Sequence, residues 1–477
     1  MITMMRNFDL VKLTVLTAGL LTASACALAQ SDYVDPGKYT EWHHKGVEVQ
    51  DPEAEKNVRQ LGDLTRPMHG PWIMNPTCNS MTVCWISRTK CAAGIQYREK
   101  GTEEFKTQWQ TTYGQLHFFK ENHAFHLKNL KPGTEYEYRF LTAWNYYQGK
   151  GHRMFTGREI YTFKTPDPKR DTYKAAFFAD VHGGERLNLD PRMERSDALK
   201  SDMFFYLGDT VEDSFYEPAR YYTTFGYLDD ITRLWGKSKP TIFVRGNHDA
   251  WGVESHEYGE YMPSPDGKTY QAFSQGPVLY VIFDYFNGHY GNSPVAMQIR
   301  AYMEEQLEWL RALKKTDQWK KAKFRVVMAH VSPHDIDYNK NKDFAAGVAW
   351  RKELNGNTKE DRIHIFLAGH EHRYRRLDPR LQKVKVGKMR GFVNDFNYTN
   401  VVLDQTECMT LDVFPEKLVF KSYDWTRGKD VLRDSFEIYP DGSVKDLMKV
   451  KVNPLLTPEE WNELQKKLRQ EKKKKKK

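Results

Sequence analysis

Two carboxylates, one carboxamide and four imidazoles stand at the ends of five short apolar runs. Phe177-Phe178-Ala179 leads into Asp180 and His182, and Met203-Phe204-Phe205-Tyr206-Leu207 leads into Gly208-Asp209. Ile242-Phe243-Val244-Arg245 leads into Gly246-Asn247-His248-Asp249, and Val326-Val327-Met328-Ala329 leads into His330. The fifth run, Ile363 to Ala368, leads into Gly369-His370-Glu371-His372. Oxygen and imidazole donors without cysteine suit borderline-to-hard ions, with Mn, Fe or Zn ahead of Mg. Asp180, His182, Asp209, Asn247, His330, His370 and His372 are more donors than one catalytic zinc takes from its protein. Two ions sharing one carboxylate would use them all, and such paired ions serve hydrolysis at phosphorus.

Each apolar run is short, bounded by glycine or polar residues, and reads as a strand buried on both faces. Ligands of α/β sheets collect beyond the C-terminal ends of the strands, so five loops are expected to converge on one edge. From Tyr173 onward these runs alternate with helical patterns at 217–235 and 296–313, the signature of an α/β domain. In the second helix Leu307, Leu310 and Leu313 hold the apolar face. The pattern returns to β at 401–403, 409–413, 418–423 and 435–438. A helix capped by Thr457 is expected over 454–468.

Upstream, between Pro67 and Pro168, short alternating runs are separated by turn residues. Met81 to Ile86 places Val83 and Trp85 on one face; Ala93 to Glu99 and Phe125 to Leu127 are further strands. Pro132-Gly133 feeds an alternating strand whose Tyr136 suits a tyrosine corner. This region resembles a fibronectin type III sandwich. The expected organisation is a signal peptide at 1–29, a linker at 30–64, an all-β sandwich at 65–168, an α/β catalytic domain at 171–450, and a helix with a lysine-rich tail at 451–477.

The formal charge is +9 over 477 residues. Six of those charges are Lys472 to Lys477 and one more lies in residues 1–29, so the remaining chain carries +2. Nothing in the sequence points to a specific nucleic-acid partner. The lysine tail reads as a solvated end able to make weak contact with anionic surfaces. Arg6 and Lys12 precede the apolar stretch 13–21, and Ala27-Leu28-Ala29 is a small-x-small cleavage site, so the protein is expected to be exported: periplasmic, secreted or at the cell surface. Ala23-Ser24-Ala25-Cys26 resembles a lipoprotein box and makes Cys26 a candidate lipid anchor. Cleavage leaves Cys78, Cys84, Cys91 and Cys408, open to a bridge among the first three or to free buried thiols.

The ordered blocks Asp-x-His, Gly-Asp, Gly-Asn-His-Asp, His and Gly-His-x-His resemble those of the calcineurin-like metallophosphoesterases. With the sandwich in front, the domain order is similar to the purple acid phosphatase branch. The resemblance implies a four-layer α/β/β/α catalytic sandwich preceded by the all-β domain. It implies two metal ions, with Asp180, His182 and His372 on the first, Asp209 bridging, and Asn247, His330 and His370 on the second. It places His248 as the general acid toward a small phosphate-ester substrate attacked by hydroxide held between the ions. A neighbouring carboxylate, Glu212 or Asp213, would orient His248. Two positions depart from purple acid phosphatases: His182 stands where they carry glycine, and Glu212 where they carry a tyrosine ligand. The tyrosinate–iron colour is therefore not expected, and the metals remain open among Fe, Zn and Mn. Phosphate monoesters are the expected substrates. His182 and Asp249 favour small or cyclic phosphodiesters as the alternative, and a catalytically inactive surface-binding protein is the alternative of another class.

Overall fold

In the computed structural model, the described residues run from 65 to 449, apart from 119, 146–151, 183–188, 211–224, 253, 265, 285–293, 333–344, 357, 380–382, 385–395 and 428–430, together with 453, 454, 463, 466 and 467. The expected signal peptide, Cys26, Glu212, Asp213 and the lysine tail lie outside them. Among the described residues no helix is long and apolar enough to cross a membrane.

The apolar runs form two sheets stacked face to face. One sheet has the strand order Thr241–Phe243, Met203–Tyr206, Tyr173–Phe178, Glu407–Val413, Leu418–Asp424, Leu432–Ile438, Val444–Asp446. Its first three strands are parallel, and the Glu407 strand joins them antiparallel, with Ala175 opposite Leu411. The other sheet has the order Gln271–Gln275, Val278–Ile282, Phe324–Met328, Ile365–Ala368, Thr399–Val402, Arg375–Leu377, parallel across its four middle strands.

Alternation along each strand sorts its side chains into layers. Phe177, Phe205, Val326, Met328, Ile365 and Leu367 point between the sheets and form the central core. Their neighbours Phe178, Phe204 and Tyr206 point outward on one side. Val327 and Phe366 point outward on the other. Both faces of these strands are dry, which is why the runs are continuously apolar rather than alternating with polar residues. The helices Pro294–Leu313 and Ala345–Leu354 cover the second outer face, with Met303, Leu307, Leu310, Leu313 and Trp350 packed inward. The helix expected over 217–235 is described from Phe225 to Ile231 and continues as a π-helical turn, Thr232–Gly236.

The upstream region is an all-β sandwich with its own core of Val83, Trp85, Ile95, Phe125, Tyr138 and Phe140. The strands expected at 81–86 and 93–99 are one bent strand, Ser80–Glu99. Its pairing register shifts between Ile86 and Cys91. The first half pairs with His69–Thr77 and Lys120–Leu127, the second with Glu135–Asn145. Tyr136 makes the expected corner, its hydroxyl accepting from the Lys131 N–H at 2.8 Å. All four cysteines from Cys78 onward are free thiols, which removes the bridge among the first three. Burial pushes the Cys91 thiol up to about 11.

The sandwich also supplies a layer of the catalytic unit. Trp72, Met74, Cys84 and Ile86 face away from its core and join one continuous cluster with Phe178, Phe204, Leu228, Trp235 and Phe243. Polar contacts rim this seam. The Tyr138 hydroxyl donates to the Lys237 carbonyl at 2.7 Å, Thr232 Oγ1 donates to the Pro71 carbonyl at 3.0 Å, and Gln271 Nε2 donates to Asn75 Oδ1 at 3.1 Å.

Candidate metal centre

All five loops meet at one edge, where both sheets end their parallel strands. Asp180, His182, Asp209 and His372 offer donor atoms within 4.8 Å of one another, and so do Asp209, His330 and His370. Asn247 completes the second group: its Oδ1 lies 3.0 Å from His330 Nε2 and 2.8 Å from His370 Nδ1. Asp209 belongs to both groups. Its Oδ2 is 3.1 Å from His330 Nε2 and 3.7 Å from His182 Nε2. His182 Nε2 and His372 Nε2 stand 2.9 Å apart. His372 Nε2 is 3.4 Å from Asp180 Oδ1.

These spacings fit shared ions. With bonds of ~2.1 Å, neighbouring donors lie about 3.0 Å apart around an octahedral ion and about 3.4 Å apart around a tetrahedral one. Two imidazole nitrogens facing each other also leave an electron-rich gap that one proton or one cation must fill. The donor chemistry and the spacing therefore both suit metal.

The backbone pays for this convergence locally. Eight non-glycine residues among those described have positive φ, and five of them are Asp180, His182, Asp209, His370 and His372. Asp, Asn and His tolerate this left-handed region better than branched residues, yet each still costs energy there. The turns hold because backbone groups cross-link them. Asp180 N–H donates to the Gly208 carbonyl at 3.1 Å, His182 N–H to the Asp209 carbonyl at 3.1 Å, and Gly369 N–H to the His330 carbonyl at 2.9 Å. His370 N–H donates to the Asp180 carboxylate at 2.9 Å. Close approach explains two glycines in the blocks. A Cβ on Gly246 would collide with Asp209, and one on Gly369 with the Asp180 carboxylate.

Residues 173–374 match the family described as calcineurin-like phosphoesterase, and residues 72–165 match the purple acid phosphatase N-terminal domain. The chain carries a calcineurin-like phosphoesterase domain. It is an enzyme of the metal-dependent phosphoester hydrolases, with the four-layer catalytic fold and the all-β domain in front. A solved structure described as PhoD is 12% identical, with a TM-score of 0.53 over 81% of this chain and 93% of that one, and is similar in fold. The fibronectin type-III domain of human fibronectin type III domain containing protein 3 aligns with 21% of this chain and 85% of its own, at 16% identity and a TM-score of 0.15, too low to carry an argument. A comparison with curated proteins found no match.

Within the phosphoesterase domain, buried partners set the electrostatics. The His330 Nδ1–H donates to the Leu207 carbonyl at 2.7 Å, so Nε2 is the nitrogen turned toward Asp209 and Asn247. Such a second contact orients an imidazole for metal. Burial alone would raise the Asp209 carboxyl; the facing His330, with His248 and His182, holds it well below the usual carboxylate range. Burial pulls His330 down, but the Asp209 carboxylate pushes it up to about 10.

His248 belongs to neither donor group. Its N–H donates to Asp209 Oδ1 at 3.0 Å, its Nε2 is 3.9 Å from Asp209 Oδ2, and its side chain is 24% exposed. The ring stands edge-on to His182 and tilts against Trp251, each at 4.8 Å between centroids. Trp251 is thus a wall beside His248. Arg373 is exposed next to His372. Arg245, just before the Gly246 turn, points inward and pairs with the buried Asp284 at 2.6 Å. His256 is exposed in a short helical turn.

The sequence does not disclose the supporting contacts of three residues. Tyr206 accepts from the Val181 N–H at 3.2 Å and donates to the Asp209 carbonyl at 3.1 Å. Asp284 anchors Arg245 at the base of the Gly246 turn. Asp249 accepts from the backbone of two donor-bearing turns. A signal for Asp249 existed: in Gly246-Asn247-His248-Asp249 it stands three residues after a helix N-cap, where a carboxylate reaches back to the cap N–H.

Proposed function

We propose that this enzyme is an exported, dinuclear-metal phosphatase that hydrolyses phosphate monoesters, with His248 as the general acid. One observation supports the reading above others. Seven donors converge as two groups sharing Asp209, while an eighth residue, His248, stands outside both groups with its Nε2 3.9 Å from Asp209 Oδ2.

Asp180, His182, Asp209 and His372 would hold one ion; Asp209, Asn247, His330 and His370 would hold the other. When bound, the ions supply the positive charge that polarises a phosphoryl group and lowers the pKa of water. The chain's own part is positional. The left-handed turns fix the donors, Asp209 lies between the groups, and the dry strands beneath exclude water from below. His248 holds a proton at the rim and delivers it to the departing alkoxide. An imidazole can both carry and release a proton, as a general acid must. Trp251 limits how far its ring can turn.

The test is His248→Ala. Metal content should stay at the wild-type level, while turnover of an alkyl phosphate monoester falls by roughly 10²–10⁴-fold. A para-nitrophenyl ester, whose leaving group needs no proton, should lose much less. Unchanged turnover on the alkyl ester would remove His248 from the role. His182 in the first group, together with Asp249, favours phosphodiesters as a second reading. Comparing the para-nitrophenyl monoester with the bis-ester decides between them. Export rests on residues 1–29; mature protein from the native host that begins at Met1 would overturn it.

A further inference from the structure

Behind the donor layer lies a carboxylate that belongs to neither donor group. Asp249 is 0% exposed. Its Oδ2 accepts from the Asp209 N–H at 3.0 Å and from the Gly246 N–H at 2.8 Å. Its Oδ1 accepts from the Thr210 N–H at 2.8 Å and from the Thr210 hydroxyl. Three peptide N–H groups and one hydroxyl thus satisfy it, and among the described residues no cation pairs with it.

The geometry is a clamp between two turns. One turn, Asp209-Thr210, carries the carboxylate common to both groups. The other, Gly246 to Asp249, carries Asn247. A short helical turn over Asn247–Ala250 gives the second turn its shape. The two press so closely that Gly246 has no room for a Cβ against Asp209. The return contact, from the His248 N–H to Asp209 Oδ1 at 3.0 Å, closes a ring of hydrogen bonds around this junction.

The clamp is lopsided with respect to the two ions. In the second group, Asp209 and Asn247 both sit on clamped turns, and His330 and His370 meet at Asn247 Oδ1. In the first group only Asp209 itself sits on a clamped turn; the His182 N–H reaches that turn through the Asp209 carbonyl at 3.1 Å, and Asp180 is held by the Gly208 carbonyl and the His370 N–H. We propose that Asp249 is a positioning residue that assembles the second ion's site in particular, by holding Asn247 and Asp209 at their common spacing. This rests on the reading that the two groups hold ions.

The replacement Asp249→Asn keeps the volume but turns one acceptor into a donor. Its amide must then face N–H groups on one turn or the other, so one turn is released. Losing an outer partner of metal ligands typically costs about 10–100-fold in affinity. The experiment titrates Mn²⁺ into chelator-stripped full-length protein, followed by calorimetry and by the electron paramagnetic resonance of bound Mn²⁺. Wild type should take two ions and show the spectrum of a coupled pair. Asp249→Asn should take the first ion with unchanged affinity and the second about 10–100-fold more weakly, with the spectrum of isolated ions at equal loading. Asp249→Glu, which restores the carboxylate, should recover part of the second step.

Two unchanged steps in Asp249→Asn would overturn the proposal, as would equal weakening of both. Wild type that takes fewer than two ions would overturn the underlying two-ion reading, a result distinct from either. Thr210→Val removes one donor to Asp249 with little change of shape and serves if Asp249→Asn does not fold. It should weaken the second step several-fold and leave the first where it was; equal effects on both again overturn the clamp.

Discussion

The two outer faces of the catalytic double sheet are covered by different material. On one, the helices Pro294–Leu313 and Ala345–Leu354 of the same domain lie over Val327 and Phe366. On the other, short helices share the work with two strands of the preceding sandwich, whose Trp72, Met74, Cys84 and Ile86 meet Phe178 and Phe204. The difference teaches that the sandwich is a structural layer of the enzyme and not an appendage on a tether. Burying one large side chain is worth about 1.5–3 kcal/mol, so an uncovered face of this size would exceed the stability of a typical domain.

The largest break in this comparison would come from truncation. A chain beginning at Asp171 keeps every proposed metal donor but loses the sandwich. It should show no cooperative thermal transition and should bind the apolar dye ANS. A monomeric fragment that melts cooperatively and retains turnover would mean that the sandwich layer is dispensable.

A smaller perturbation compares one tryptophan from each face. Trp72 and Trp319 are each 1% exposed. Replacing either by alanine should cost about 3–5 kcal/mol, read from urea denaturation. The phenylalanine variants should part company. Trp319 Nε1 donates to the Glu360 carbonyl at 2.8 Å, whereas Trp72 Nε1 has no partner among the described residues. Trp319→Phe should therefore lose about 1 kcal/mol more than Trp72→Phe. Equal losses would mean that the two faces are held in the same way.

The smallest effect is pH-dependent and asks whether both domains report one transition. His123, in the sandwich, and His364, in the catalytic domain, are buried as neutral rings. Burial pushes them down to about 3 and about 4. His364 accepts from the Arg325 N–H at 3.0 Å and donates to the Pro440 carbonyl at 3.1 Å, a pattern that only the neutral ring satisfies. Both pKa values are depressed in the folded state, so the unfolded chain binds more protons below about pH 6.5. Stability is complete above that pH and drains away as pH falls toward 4, by on the order of 3 kcal/mol for each ring. Urea melts at pH 7, 5.5 and 4.5 should show one midpoint falling. His123→Gln and His364→Gln should each flatten the same slope. Two separating midpoints would show the domains unfolding independently.

The catalytic core was legible in the sequence for a physical reason. Strands dry on both faces must be continuously apolar, and donors must follow them, so Phe177 to His182 states its own place. The helix around Leu307 announced its buried face in the same way. The sandwich's second role was harder to read. Trp72-Ile73-Met74 and Val83-Cys84-Trp85-Ile86 are apolar at odd and even positions alike, the mark of burial on both sides, but reading Val83 and Trp85 as the core face hid Cys84 and Ile86. Ala93 to Glu99 looked like a separate strand because the bend before Cys91 lies in polar residues, Ser87 to Lys90. The supporting contacts were hidden for another reason. Tyr206 reaches Val181, 25 residues back, and Arg245 turns inward only because Asp284 waits there; no spacing rule encodes such pairs.

The segment joining the two domains is tied to both of them. Arg170 grips Asp202 with both terminal nitrogens at 2.8 and 3.0 Å, and Thr165 N–H donates to the Thr134 carbonyl at 3.0 Å. A force pulling on the ends of this molecule would therefore find no slack between the domains to draw out first. Both should give way in a single rip, at the load that parts Trp72 from Phe178.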